Sequence, residues 1–359
     1  MRILCVIDSL GSGGAQRQLV NLAIGFKEKG HNVSFLVYHR DEFYEQTLKE
    51  NDIPIHEIIE PNYLKRLMKM CRYIREGNFN AVLCFLEAPT FICEIAGLPK
   101  RKWKLVVGER SANPEILKSA KLRIYRWFHL LADHVVANSY ENIKMVRRIN
   151  PLLPKEKCHV IYNILDSNVW KMQLNYIHFN NHKFNLLIAA SISNTKNLHS
   201  LVEAVNLLPE NYKNRLKINW YGNIADFYYF HKAQQEIEDY KINEIFSFFE
   251  PTHDIIRQMY LSDAIGLFSF YEGLPNVICE AMAIGKPIIC SNVSDLPLLL
   301  NNRHLLIDPY SASSIAASLI YCMDQSIIKL NEEGKKNRLV AEECFDKEKI
   351  IEKYLSIMD

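Results

Sequence analysis

The stretch Leu267–Ser291, LFSFYEGLPNVICEAMAIGKPIICS, constrains the fold of this chain more than any other. An apolar run of strand length, Ala264–Phe270, breaks at Glu272-Gly273-Leu274-Pro275. A helical pattern restarts at Asn276, with Val277, Ile278, Ala281 and Ile284 on one face, and Gly285 is a natural stop for it. Pro287–Cys290 is apolar and strand-like again. A strand, a turn, a helix and a strand in that order make half of a parallel α/β layer. The turn suits a ligand. Gly273 lets the backbone come close to one, and a helix starting at Asn276 turns its amides and positive dipole end towards the turn, which favours a phosphate. Glu272 precedes that helix start and Glu280 lies eight residues further on, about two turns down. Carboxylates in such a crevice can accept hydrogen bonds from sugar hydroxyls; on spacing alone, two solvated glutamates are an equal reading.

The chain opens in the same style. Arg2–Ile7 reads as a strand, GSGGA at 11–15 as a glycine turn, Gln16–Lys29 as a helix ended by Gly30, and Val33–Tyr38 as a second strand. Nucleotide-binding α/β domains begin this way. A dinucleotide fingerprint is not complete, because no glycine follows Gly14 three residues on and no acidic residue ends the second strand. Gly13 and Gly14 are either a ligand-facing loop or a structural tight turn. Further strands are expected at Ala81–Phe85, Leu105–Val107, His134–Ala137, His159–Tyr162, Asn185–Ala190, Lys217–Tyr221 and Ile245–Phe249, with helices at Leu198–Leu208 and Lys347–Met358. An irregular, Asn-rich segment, Ser167–Lys183, reads as a linker. The expected organisation is two domains, 1–168 and 169–346, with the final helix 347–359 packing back on the first.

YEGLPNVICEAMAIGKPII resembles the donor-site segment of the family-4 retaining glycosyltransferases. The resemblance is strong at 264–291 and moderate at 1–30, where SGGAQR is similar to the family's glycine loop, and at 186–208. It implies the GT-B fold: two Rossmann-like α/β domains facing each other across a cleft. It implies that Glu272 lies by the donor sugar and that Glu280 binds the ribose hydroxyls of the nucleotide. It places Gly13 and Gly14 near the donor, and Gly273, Leu274, Pro275 and Asn276 around it. The family's Arg–Lys clamp on the donor diphosphate is half present: Lys196-Asn197 matches, whereas Ser191 stands in the arginine position and Ala190 in that of the preceding glycine. In the loop GERSANPE at 108–115, Arg110 takes the place of the histidine of the family's EHS-like form. Arg110 either meets a phosphate or forms a structural ion pair. Retention of configuration is implied, with Glu272, Lys196 and Arg110 as the candidate catalytic residues.

Charge and composition narrow the partners. Residues 1–168 carry 25 Lys and Arg against 18 Asp and Glu, and residues 169–359 carry 18 against 23, so a basic half is followed by an acidic one. Two acid-free basic stretches, Asn62–Arg75 and Ile116–His129, read as amphipathic helices, the first with Leu64, Leu67, Met68, Cys71 and Ile74 on one face. Such helices lie on anionic membranes or pack one face in a core. The nine cysteines show no CxxC pair and read as small buried hydrophobes in a reducing compartment. No apolar run reaches the length of a membrane span, and Met1-Arg2 leads straight into a strand pattern without a signal peptide. The expectation is a cytoplasmic protein on the inner face of the cell membrane. With no Asp-x-Asp pair, no metal or other cofactor is expected. The family resemblance implies a nucleotide-diphosphate sugar, UDP-linked by preference, and a lipid-linked or glycan acceptor of surface polysaccharide synthesis as partners; no nucleic acid is expected. A sugar-nucleotide 2-epimerase of the same fold and a catalytically silent sugar-nucleotide or glycolipid binder are the competing readings.

Overall fold

The computed structural model describes residues 1–172, 183–252 and 254–359. The chain divides into two compact units, Met1–Ile164 with Phe345–Asp359, and Leu165–Cys344. The expected linker, Ser167–Lys183, lies largely outside the described residues.

The first unit is built on a seven-stranded sheet: β1 (Arg2–Val6), β2 (Asn32–Val37), β3 (Ile55–Glu57), β4 (Ala81–Phe85), β5 (Lys104–Glu109), β6 (His134–Ala137) and β7 (Cys158–Val160). The order is β3-β2-β1-β4-β5-β6-β7 and every pairing is parallel. All five side chains of β4 are buried, as expected of a strand covered by helices on both faces. The helix Gly14–Glu28 buries Leu19, Leu22, Ala23 and Phe26 on one side of the sheet. The final helix, Lys347–Met358, adds Ile350, Ile351, Tyr354 and Met358 to the same core. Gly25 makes this packing possible, since a Cβ there would lie 2.3 Å from Ile351 Cδ1.

The two basic stretches are less regular than their patterns. Asn62–Arg75 forms the helix Tyr63–Glu76, capped by the Asn62 side chain, but only Met70 and Ile74 are buried. Leu64 and Met68, expected on the inner face, are 66% and 63% exposed, so the buried face of this helix is narrower than its apolar pattern. Ile116–His129 is not one helix. It breaks at Ser119, which caps Ala120–Phe128 with its hydroxyl and leaves a single turn at Glu115–Lys118. Arg126, one of the basic residues of this stretch, is 1% exposed.

The second unit holds a six-stranded parallel sheet: β8 (Phe184–Ala189), β9 (Leu216–Tyr221), β10 (Phe246–Phe249), β11 (Ala264–Leu267), β12 (Ile288–Ser291) and β13 (Leu306–Ile307), ordered β10-β9-β8-β11-β12-β13. The stretch that organises the sequence is its β11–helix–β12 segment, with the helix at Asn276–Ala283 and Gly285 past its end at φ +75°. The long helix Ile327–Cys344 crosses that point at Gly334, whose Cβ, if present, would lie 1.9 Å from the Gly285 carbonyl oxygen. Lys286 is 1% exposed and donates to the carbonyls of Tyr260 and Ser262 at 2.8 and 2.7 Å, locking β12 to the entry of β11. Burial outweighs the neighbouring Asp263 and brings its ammonium down to about 7. All nine cysteines are free thiols, mostly buried.

Candidate functional site

In each sheet the strand order reverses direction once, and ligands of open α/β sheets bind outside the carboxyl ends of the strands at that point. The reversal falls between β8 and β11 in the second unit and between β1 and β4 in the first.

At the β8–β11 point two loops are zipped together. After β8 the chain passes Ser191, which is half-buried, and makes a single 3₁₀ turn at Asn194–Lys196. Asn197 follows in the left-handed region at φ +62°, which asparagine tolerates better than most residues. Its side-chain amide donates to the carbonyls of Phe268 at 3.1 Å and Pro309 at 2.7 Å. After β11 the Phe270 amide donates to the Thr195 carbonyl at 3.0 Å, and the Thr195 and Tyr271 hydroxyls are hydrogen-bonded at 3.0 Å. The zipper presents one ion pair: Lys196 Nζ lies 2.5 Å from Glu272 Oε1, with the two side chains 23% and 14% exposed. Gly273, Leu274 and Pro275 are buried beneath it, and the Ser294 hydroxyl donates to the Gly273 carbonyl. Asn276 begins the helix without a side-chain cap from Pro275, and Glu280 is 4% exposed within it. The rings of Phe270 and Tyr310 stack at 4.9 Å beside the same loop.

Of the residues singled out in the second unit, the structure joins Lys196 directly to Glu272. In the Leu198–Leu207 helix that follows, the His199 amide donates to the Tyr229 hydroxyl at 3.3 Å, and the Lys196 ammonium is held by the Glu272 carboxylate. Sequence reasoning missed this contact, the Thr195–Tyr271 bond and the Tyr229 cap. Each joins segments tens of residues apart and leaves no periodic signal.

At the β1–β4 point of the first unit, Gly13 and Gly14 open the Gly14–Glu28 helix and are exposed. Asp8 Oδ1, at the end of β1, accepts from the Ser9 amide and from Gln16 Nε2. Arg110 follows β5. Its guanidinium donates to the Tyr354 hydroxyl at 2.5 Å and to Asn163 Oδ1 at 3.3 Å, and lies 4.0 Å from the centre of the Phe85 ring. Burial lowers its pKa against the opposing effect of Tyr354. The structural alternative for Arg110 is therefore a tyrosine and asparagine clamp and not an ion pair.

Behind this edge lies a buried charge network that the sequence did not announce. His129 is 2% exposed and bridges Glu94 Oε1 at 2.7 Å and Glu109 Oε1 at 2.8 Å. Arg126 joins Glu109 at 2.9 Å to Glu87 at 3.2 Å. Burial opposes the charge on His129, but Glu94 and Glu109 outweigh it and hold the imidazolium up to about 10. Burial likewise raises Glu109, but Arg126 and His129 outweigh it and hold the carboxyl at about 2. Among the described residues, no three His, Cys, Asp or Glu side chains are grouped as a metal site.

Two family patterns match the chain: "Glycosyltransferase Family 4" over residues 12–169 and "Glycosyl transferases group 1" over residues 175–339. Together they span nearly all of it, and the chain belongs to the family-4 glycosyltransferases, with the GT-B fold. Among curated relatives, the Campylobacter jejuni "GalNAc-alpha-(1->4)-GalNAc-alpha-(1->3)-diNAcBac-PP-undecaprenol alpha-1,4-N-acetyl-D-galactosaminyltransferase" is 23% identical over 300 residues, 79% of this chain and 77% of the relative. Among solved structures, Anabaena HepE in complex with UDP and glucose superimposes with a TM-score of 0.86 at 19% identity, covering 99% of this chain and 98% of that one. A point mutant of Staphylococcus aureus TarM in complex with fondaparinux, α-GlcNAc-glycerol and UDP has a TM-score of 0.80 at 11% identity, covering 100% of this chain and 99% of that one.

Proposed function

We propose that this glycosyltransferase moves a sugar, with retention of configuration, from a UDP-sugar to a lipid-linked or glycan acceptor in surface polysaccharide synthesis, and that it needs no metal. The Lys196–Glu272 pair at the β8–β11 reversal carries the reading, because it puts one cation and one carboxylate where a sugar diphosphate would present its phosphates and its hydroxyls. The relatives support the substrate classes: one is named for a diphospho-undecaprenol-linked glycan, and others are solved with UDP bound.

In this reading Lys196 takes the diphosphate, with Ser191 and the amides at Asn276 as neutral donors where the family has an arginine. Glu280 takes the ribose. Glu272 orients the sugar and stabilises positive charge as it develops on the anomeric carbon. That carbon loses its bond to the leaving phosphate oxygen and gains one to the acceptor oxygen on the same face. The acceptor proton passes to the leaving phosphate, so no protein base is required. Gly13, Gly14 and Arg110 belong to the acceptor-side unit, Arg110 as a support of its loop.

The exposed apolar residues Tyr63, Leu64, Met68, Ile124 and Trp127, with Lys65, Lys121 and Arg123 exposed among them, form the surface we assign to anionic lipid. Tyr63 meets Tyr125, which brings their two helices together. No helix among the described residues is long and apolar enough to cross a membrane.

The test is incubation with radiolabelled UDP-glucose, UDP-galactose and their N-acetyl analogues, with and without alkyl glycoside acceptors, in EDTA and in magnesium. Label in a new α-glycoside, undiminished by EDTA, supports the reading. Epimerised nucleotide sugar without transfer would identify an epimerase. Binding without turnover would identify a silent binder.

A further inference from the structure

The Glu87–Ala96 helix carries polar side chains at Glu87, Thr90 and Glu94, spaced to lie on one side of the helix. Thr90 and Glu94 are 4% and 0% exposed, and Thr90 Oγ1 and Glu94 Oε2 have no hydrogen-bond partner among the described residues. Burying such groups in an otherwise apolar layer costs stability, and apolar residues of the same volume would pack there without that cost. The charge network that Glu94 enters through His129 ends at Glu87. It is the one carboxylate of the network that reaches the surface, 32% exposed, at the carboxyl end of β4, where the first sheet reverses direction.

Two features fix Glu87 at that place. Arg126, itself 1% exposed and tied to Glu109, holds Glu87 Oε1 at 3.2 Å. The preceding residue, Leu86, has φ +71° and ψ 157°, a backbone region almost confined to glycine. A leucine there is strained and persists only where the surroundings impose it, which points to function at the turn. The contact to Arg126 is through Glu87 Oε1, and the pair at 3.2 Å is loose enough to be shared with a ligand. A carboxylate so held accepts hydrogen bonds from vicinal hydroxyls.

We propose that Glu87 is an acceptor-binding residue that receives a hydroxyl of the acceptor sugar at the β1–β4 crevice, with Arg126, Glu109, His129 and Glu94 as the residues that position it. This rests on the transferase reading above. The alternative is that Glu87 only anchors Arg126 and complements the helix start, in which case its removal changes stability and nothing else.

The test compares wild type, Glu87→Gln and Glu87→Ala in transfer from the UDP-sugar that the wild type uses to octyl glycosides of glucose, galactose and their N-acetyl derivatives. Hydrolysis of the donor without acceptor and the melting temperature are measured alongside. The expected result is an acceptor KM raised about ten- to a hundred-fold, the loss of one charge-assisted hydrogen bond, with donor KM and acceptor-free hydrolysis unchanged. An unchanged acceptor KM overturns the proposal, as does a loss that falls equally on donor hydrolysis. If the wild type neither transfers from nor hydrolyses any of the four UDP-sugars, the transferase reading fails first and takes this proposal with it.

Discussion

At the residue scale the decisive contact is Lys196 Nζ to Glu272 Oε1 at 2.5 Å. In the donor-binding mode proposed above, the diphosphate and Glu272 compete for one ammonium, so Glu272 opposes nucleotide binding before it serves the sugar. A charge-assisted hydrogen bond of this kind is worth about 1.5–3 kcal/mol. Glu272→Gln should therefore bind UDP more tightly than wild type in calorimetry, by about three- to ten-fold after partial screening, while kcat falls. Weaker binding in that variant would remove Glu272 from the competition. Glu280→Ala should act in the opposite direction and weaken UDP by about 1.5–3 kcal/mol, because its carboxylate, 4% exposed, is assigned to the nucleoside in ground and transition states alike.

At the scale of elements, the His129 network ties β5 to two helices through charge. The folded value of His129 is raised from 6.5 to about 10, so its stabilising contribution is complete below its ordinary value and is lost as pH rises through about 10. Glu109 is lowered from 4.5 to about 2, so its contribution is complete above 4.5 and is lost as pH falls towards 2. The melting temperature of wild type should exceed that of His129→Gln most clearly near pH 6, and the gap should narrow steadily to pH 10. A constant gap would mean that His129 acts by shape alone. The exposed face of the Tyr63–Glu76 and Ala120–Phe128 helices makes a second prediction. Reversing Lys65, Lys121 and Arg123 to Glu should abolish flotation with vesicles containing anionic lipid, since each basic residue near such a surface contributes about 1 kcal/mol. Flotation that survives the reversal would leave this face merely solvated.

At the scale of the whole molecule, the first unit is completed by the last segment of the chain. Phe345–Asp359 belongs to it, and Ile350, Ile351, Tyr354 and Met358 are almost fully buried there. Tyr354 also gives Arg110 its shortest hydrogen bond. Ending the chain after Cys344 should strip five core side chains, Phe345 among them, each worth about 1.5–3 kcal/mol, and unfold the first unit. Proteolysis should then degrade 1–164 and spare 165–344. Equal resistance of both units would show that the helix is dispensable.

The sequence by itself determined the layered parallel architecture, because strands covered on both faces and helices with one apolar side leave periodic patterns that can be counted along the chain. It determined the order of the β11–helix–β12 segment and the start of its helix at Asn276, with Gly285 beyond its end, while both strand boundaries shifted by one to three residues. It also singled out Lys196 and Glu272, though through family resemblance and not through spacing. Tertiary structure alone decided that these two touch, since 76 residues separate them and only the β8–β11 pairing brings their loops together. It decided that Arg126 turns inward while Leu64 and Met68 stay outside, because the layer available to each helix face is set by its neighbours. It decided the Glu94–His129–Glu109 bridge for the same reason: a buried charge declares itself only once its partners are in place.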